Sequence, residues 1–298
     1  MPEGHVTHAL AGRIEHAFGG RPTAVSSPQG RFDDGAALLD GLTLIDASAW
    51  GKHLFVEFER ERWLNVHLGL IGKFSVMRHH LGPDPAGPAG MPDGRVPVEG
   101  QVRVRLLNDT WVADLRAPTV CAVVTPEKVQ EIRARLGPDP LRPDADPGVA
   151  LRRISRSTKP IAELLMDQSI LAGVGNVYRC EVLFRHRVDP FRPGKEIRPA
   201  TWWAIWDDLV TLMPLGVSFG QVLTMDDQVV EALAEVADGS AAAHTAALTG
   251  ARLGDRFERR FYLYKRTGEP CHVCGSKVHT QLIAGRNLFW CGRCQRRR

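Results

Sequence analysis

Four of the six cysteines fall in two pairs, Cys271-x2-Cys274 and Cys291-x2-Cys294, with 16 residues between the pairs. Two such knuckles at this spacing match a zinc site. Four thiolates close a tetrahedral shell and leave no position for water, so the expected role of one zinc ion is structural rather than catalytic. A pair of redox CxxC motifs is the alternative, but no thioredoxin-like βαβ pattern surrounds them. Residues 278–283 and 287–290 can pair as a hairpin between the knuckles, with Ala284-Gly285-Arg286-Asn287 as its tip. Arg286 would then project from a metal-pinned turn.

A second constellation is the turn Ala172-Gly173-Val174-Gly175 followed by Asn176. One helix is expected to end near Leu171, and Asn176 suits the N-cap of the next. Free N–H groups there, with glycines permitting close approach, predict a phosphate site. A plain helical hairpin would carry the same signal. The two remaining cysteines, Cys121 and Cys180, sit in apolar runs and read as buried thiols.

The elements that must hold these groups follow from patterning. The chain has 298 residues and a hydrophobic fraction of 44%, enough for two domains with real cores and too apolar for a disordered chain. No apolar run approaches the length of a spanning helix. The first residues lack the charged and apolar regions of an export signal, so a cytoplasmic location is expected. Val6, Leu10, Ile14, Ala17 and Phe18 predict a helix stopped by Gly19-Gly20. Strands are expected at 54–56, 63–68, 102–106, 111–112 and 120–124, with Arg103 and Arg105 on a wet face. Residues 79–97, rich in Pro and Gly, read as a loop. Pro138, Pro140, Pro143 and Pro147 mark a linker. Helices are expected over 161–168, 177–185 and 202–212. The alanine-rich stretch 232–250 reads equally as a helix pair or a loop.

Charge separates the two ends. Residues 251–298 hold 12 basic and 3 acidic residues, a net of +9. The whole chain has 38 and 34, so the first 250 residues carry 26 against 31, a net of −5. A basic terminal segment on a mildly acidic body points to a polyanion partner.

Taken in order, the words of this sequence resemble the formamidopyrimidine-DNA glycosylase/endonuclease VIII family. They are the opening Met1-Pro2-Glu3-Gly4, Gly51-Lys52, His67-Leu68-Gly69-Leu70, Asp114-Leu115-Arg116, Leu136-Gly137-Pro138-Asp139-Pro140, the Gly173–Asn176 turn and the zinc hairpin with Arg286. The resemblance spans the whole chain, and the MPEG opening resembles the endonuclease VIII branch.

The fold this implies is α+β. It comprises an N-terminal β-sandwich domain with a leading helix (1–125), a Pro-rich linker (126–150), a helical domain with a helix–two-turn–helix motif (151–250) and a four-cysteine zinc-ribbon hairpin (251–298). The implied function is a bifunctional DNA glycosylase and AP lyase of base excision repair. Its partner would be double-stranded DNA with a damaged base or abasic site, and the protein is expected to be a monomer without a membrane.

The site residues carry over individually. Removal of Met1 would free the secondary amine of Pro2 as nucleophile; an α-amino group titrates near ~8, against ~10.4 for lysine. Glu3 would move protons, Lys52 would contact the lesion phosphate and assist base loss and β-elimination, and Arg286 would grip phosphate and assist δ-elimination. Arg135, Lys159 and Asn176 would hold DNA phosphates, and Leu70 and Ile71 would fill the space left by the extruded base. Glu181 matches a family acid and is expected to be structural.

Two departures bear on specificity. His5 and Val6 replace a second Pro-Glu after Met-Pro-Glu-x, and Ala117-Pro118 follow Asp114-Leu115-Arg116 where the formamidopyrimidine branch carries Arg-Arg-Phe. Both favour oxidised pyrimidines over 8-oxoguanine. The competing readings are a purine-directed glycosylase of the formamidopyrimidine type and a non-catalytic zinc-ribbon protein that binds nucleic acid.

Overall fold

The computed structural model describes residues 2–79, 96–238 and 256–296. The chain divides into two compact units. One holds Pro2 and residues 7–133, the other residues 3–6 and most of the chain from residue 134.

The elements run α1 (Gly4–Phe18), β1 (Ala24–Ser26), α2 (Asp33–Leu39), β2 (Leu44–Trp50), β3 (His53–Phe58), β4 (Arg62–His67), β5 (Lys73–Arg78), β6 (Val102–Leu107), β7 (Trp111–Arg116) and β8 (Val120–Val124). They continue with α3 (Pro126–Ala134), α4 (Pro147–Ile154), α5 (Ile161–Leu164), α6 (Asn176–Arg185), α7 (Pro199–Phe219), α8 (Asp226–Ala237), β9 (His279–Ile283) and β10 (Arg286–Trp290).

In the first unit the strands form two four-stranded antiparallel sheets, ordered β1-β6-β7-β5 and β2-β3-β4-β8. Leu54, Val56, Phe58, Val104, Leu106 and Leu115 are buried, as the branched and aromatic residues of these strands require. The expected strands are present, and β1, β2 and β5 join them. Arg105 corrects the expected wet face of β6. It is buried, and its guanidinium donates to both Asp114 oxygens at 2.7 and 2.8 Å. A bidentate partner on the neighbouring strand makes that burial tolerable.

In the second unit α6 lies at the centre of the core, with residues 176–184 all buried. Tyr178, Val182, Leu183 and Phe184 pack with Trp202, Leu209 and Met213 of α7 and with Leu288 and Phe289 of β10. The helical expectations need correction in length. α5 is one turn, residues 165–175 are turns, and α7 extends both ways and tolerates Pro214 in its interior. The stretch 126–150 is not all linker. Pro126 opens α3, and Pro147 opens α4, where fixed φ and a missing N–H cost nothing. α8 covers the start of the alanine-rich stretch; most of the rest, like most of the expected loop at 79–97, lies outside the described residues.

Candidate active site and nucleic-acid interface

In the first unit Gly51 and Lys52 form a two-residue hairpin tip, since Trp50 pairs with His53 across it. Gly51 has φ 58, the geometry a tight tip of this kind asks of its first residue. Lys52 therefore stands at the head of a rigid hairpin rather than on a loose loop. Beside it, His53 and His67 face each other across β3 and β4 with ring centroids 5.0 Å apart. The Gly69 N–H donates to His67 Nδ1 at 3.1 Å, so this ring is neutral with its proton on Nε2. Burial, with the charges of His53 and Lys52, pushes the His67 pKa down to about 4. The His53 pKa is also lowered by burial, against the hydrogen bond it makes to Asn65.

Leu70 and Ile71 lie in the link between β4 and β5. Leu70 is 49% and Ile71 82% exposed. The link is fixed by Gly72 N–H to Leu68 O at 3.0 Å and by Gly69 at φ 67, where an added Cβ would meet Thr119 Oγ1 at 1.8 Å. Two large aliphatic side chains are thus presented to solvent by an ordered turn.

In the second unit the N–H groups of Gly175, Val177 and Tyr178 are not open to a phosphate, which corrects that part of the expected site. The Glu3 carboxylate takes them: Gly175 N–H donates to Oε2 at 2.9 Å, Val177 to Oε1 at 2.7 Å and Tyr178 to Oε2 at 3.4 Å. An anion at a helix N-terminus satisfies donors that have no partner within the helix. The cap position belongs to Gly175, and Asn176 is the first helical residue, so the expected Asn176 N-cap is also corrected. A Cβ on Gly175 would come within 2.4 Å of Glu3, so glycine is required there for the carboxylate to seat. Gly4 N–H donates to Gly173 O at 2.7 Å, and Gln168 braces the turn through Gly173 N–H and Val174 O.

Asn176 is buried. Its Nδ2 donates to Asn287 O at 2.9 Å, and its Oδ1 accepts from the buried Arg179. Burial, above all, lowers the Arg179 pKa, and the charge of Arg286 lowers it further. Arg179, Gln168 and His53 carry no local signal in the sequence that distinguishes them from surface polar residues.

Arg286 is half-buried and is the first residue of β10, paired with Ile283. The expected four-residue tip is therefore corrected to Ala284-Gly285, whose φ values of 49 and 74 suit a two-residue hairpin turn. Arg135 is exposed, one residue beyond α3. Lys159 is exposed and paired with Glu163 at 2.6 Å; that hydrogen bond raises its pKa. An exposed pair of this kind is weak and can open for another anion.

Glu181 is fully buried. Its oxygens accept N–H groups of Tyr262, Leu263 and Tyr264 at 2.7, 2.9 and 3.0 Å and the Thr224 hydroxyl at 2.8 Å.

The sulfurs of Cys271, Cys274, Cys291 and Cys294 all lie within 4.8 Å of one another. Two of the separations, 3.4 and 3.9 Å, bracket the ~3.8 Å expected between thiolates that share one zinc at ~2.3 Å. The knuckles are prearranged by Gly275 N–H to Cys271 O and by the Gln295 side chain on Cys291 N–H. These four residues are positioned to bind one metal ion, and its effect when bound is to lock the hairpin.

A β-sandwich, a helix–two-turn–helix core whose glycine turn grips an N-terminal carboxylate, and a four-cysteine zinc finger define the helix–two-turn–helix class of DNA glycosylase. The chain matches family models for the formamidopyrimidine-DNA glycosylase N-terminal domain at residues 1–119, the formamidopyrimidine-DNA glycosylase H2TH domain at 136–227, and the zinc finger found in FPG and IleRS at 268–297. It is 46% identical to Endonuclease 8 1 of Mycobacterium tuberculosis over 99% of this chain and 100% of that one. It is 31% identical to the formamidopyrimidine-DNA glycosylase of Phenylobacterium zucineum over 87% of this chain and 85% of that one. The crystal structure of the MutM (FPG) protein from Thermus thermophilus superposes with a TM-score of 0.70 at 26% identity, covering 99% and 98% of the two chains. The Lactococcus lactis Fpg in complex with abasic-site DNA shares the fold, with a TM-score of 0.73 at 19% identity, over 99% and 100%. The chain belongs to the formamidopyrimidine-DNA glycosylase/endonuclease VIII family.

Among the described residues, no helix is long and apolar enough to cross a membrane.

Proposed function

We propose that this protein is a bifunctional DNA glycosylase and AP lyase that removes oxidised pyrimidines from double-stranded DNA and also acts on abasic sites. The observation that carries this reading is the grip of the helix–two-turn–helix amides on Glu3, which fixes the residue bonded directly to Pro2. A plain nucleic-acid binder has no need of a buried carboxylate at that position.

In the proposed sequence of steps, Met1 is removed and the Pro2 amine attacks C1′ of the damaged nucleotide. The C1′–N bond breaks, the base leaves with a proton, and an iminium links Pro2 to the opened sugar. Glu3 relays protons during ring opening. Loss of a C2′ proton then expels the 3′ phosphate, and a second elimination expels the 5′ phosphate. Lys52, on its hairpin tip, contacts the lesion phosphate and assists base loss and the first elimination. Arg286 binds phosphates and assists the second. Arg135, Lys159 and Asn176 position the backbone, with Asn176 acting from a buried network. Leu70 and Ile71 fill the vacated stack.

The 46% identity to a relative named Endonuclease 8 1, the MPEG opening and the missing Arg-Arg-Phe support pyrimidine lesions over 8-oxoguanine. The domain limits 1–125, 126–150, 151–250 and 251–298, a monomeric state and a cytoplasmic location belong to the same reading. Duplexes carrying thymine glycol, dihydrouracil, 8-oxoguanine or an abasic site test it, with borohydride present to reduce the iminium. Excision of the pyrimidine lesions and a covalent adduct mapping to Pro2 are expected. Preferred cleavage at 8-oxoguanine transfers the protein to the purine-directed reading; trapping undiminished in Pro2→Gly removes Pro2 as nucleophile.

A further inference from the structure

Helix α6 ends at a second charged place, remote from Glu3. Its C-terminal end closes with Val188 N–H on Leu183 O and Arg187 N–H on Phe184 O, both at 2.9 Å, the two hydrogen bonds of a Schellman turn. The left-handed position of such a turn favours glycine, yet here it holds Arg187 at φ 54. The backbone thus carries strain at a residue whose side chain is a guanidinium.

Arg187 and His186 line a cavity of about 480 Å³ together with Arg192, Arg198, Arg293 and Arg296. All of these residues belong to the second unit. Among the described residues, no carboxylate lines the cavity. Asp208, the acid partner of His186 at 3.1 Å, is also held by Arg185 at 2.7 Å. Cys274 and Cys294 form part of the wall, and four thiolates around one zinc ion carry a net charge of about −2. The five guanidiniums outnumber that charge. Guanidinium forks match phosphate oxygens in pairs, and a cavity of this size admits a phosphate with its sugar.

We propose that this cavity is a second phosphate-binding site, which takes the backbone of a nucleic-acid strand. It lies at the opposite end of a ten-residue helix from the amides that hold Glu3, about 15 Å along the axis. The proposal goes beyond lesion excision and needs none of the residues assigned to it.

The test uses the full chain loaded with zinc and the double substitution Arg187→Gly with Arg293→Ala. Glycine at residue 187 relieves the left-handed backbone, so the melting temperature stays equal or rises. Pyrophosphate, titrated by calorimetry at low salt, should bind about tenfold or more weakly to the variant. A single-stranded oligonucleotide should show a salt-dependence slope smaller by about one to two. Equal pyrophosphate affinity in both proteins overturns the site. Weakened pyrophosphate binding with an unchanged oligonucleotide slope assigns the cavity to free phosphates and overturns the nucleic-acid source. Borohydride trapping on abasic DNA should be the same in both proteins, which keeps failure here apart from failure of the glycosylase reading.

Discussion

Glu3 and Glu181 are mirrored on helix α6. Glu3 lies outside the helix and accepts the N–H groups of Gly175, Val177 and Tyr178 at its N-terminus. Glu181 lies on the helix and accepts the N–H groups of Tyr262, Leu263 and Tyr264, the strand of chain that leads into the zinc finger. Both are fully buried, and each gathers three backbone donors. One helix thereby fixes the residue next to Pro2 and the base of the hairpin that carries Arg286.

This arrangement separates two kinds of loss. Replacing either carboxylate by an amide turns an NH2 toward backbone donors and should cost about 2–3 kcal/mol of stability. Hydrogen exchange should quicken at Val177 and Tyr178 in Glu3→Gln, and at residues 262–264 in Glu181→Gln. Only Glu3→Gln should also slow the chemical step at saturating DNA. Unchanged exchange at those amides would contradict the assigned bonds.

Ile71 gives a cleaner functional test, because a residue 82% exposed contributes little to folding. Ile71→Ser should leave stability within about 0.5 kcal/mol. Excision from a duplex should fall by about tenfold, since the extruded base then leaves an unfilled stack. Equal excision by variant and parent would return Ile71 to the status of an ordinary exposed aliphatic.

Lys52 and Arg286 should divide the reaction between them. Lys52→Ala should impair excision of a damaged base far more than cleavage of a ready-made abasic site, where the base is already gone. Arg286→Ala should shift the product toward the β-elimination end and weaken DNA binding, more so at raised salt. Gel analysis of the strand ends at saturating enzyme reads both. Wild-type δ-product at wild-type rate in Arg286→Ala would leave Arg286 as a hairpin residue only.

His67 sets a pH dependence. Its folded pKa is about 4, below the ~6.5 of an unfolded histidine. As pH falls from 6.5 the unfolded chain takes up a proton that the folded chain refuses. Stability from this group is therefore present above pH ~6.5 and is lost progressively down to about 4. NMR should find the His67 ring neutral at pH 6. A His67 resonance titrating near 6.5 in the folded protein would refute the buried, neutral ring.

One metal ion per chain should be released by Cys274→Ser. The hairpin should then lose order while the first unit stays folded, because metal-binding energy is local folding energy. Metal analysis and Trp290 fluorescence follow the two events. Full metal content in Cys274→Ser would exclude Cys274 from the shell.

The zinc site was legible because its ligands are close in sequence and restricted to one residue type, so spacing alone encodes the geometry. The first helix was legible for a similar reason: Val6, Leu10, Ile14 and Phe18 repeat at its own period. The two-residue tips at Gly51-Lys52 and Ala284-Gly285 depend on register, which is settled only when the strands pair. The glycine turn shows the limit most directly. Its residues announce open N–H groups beside a helix start, and local chemistry points to Asn176 as the cap, a position that Gly175 takes in the folded chain. What fills those donors is Glu3, more than 170 residues away in the chain, and only tertiary folding brings it there. Arg105 and Arg179 follow the same rule: each reads as a surface cation until a partner outside its own element, Asp114 on the neighbouring strand for Arg105 and the Ala162 carbonyl for Arg179, makes its burial tolerable. Local pattern determined where helices, strands and metal ligands lie; long-range hydrogen bonding decided which polar groups remain available for chemistry.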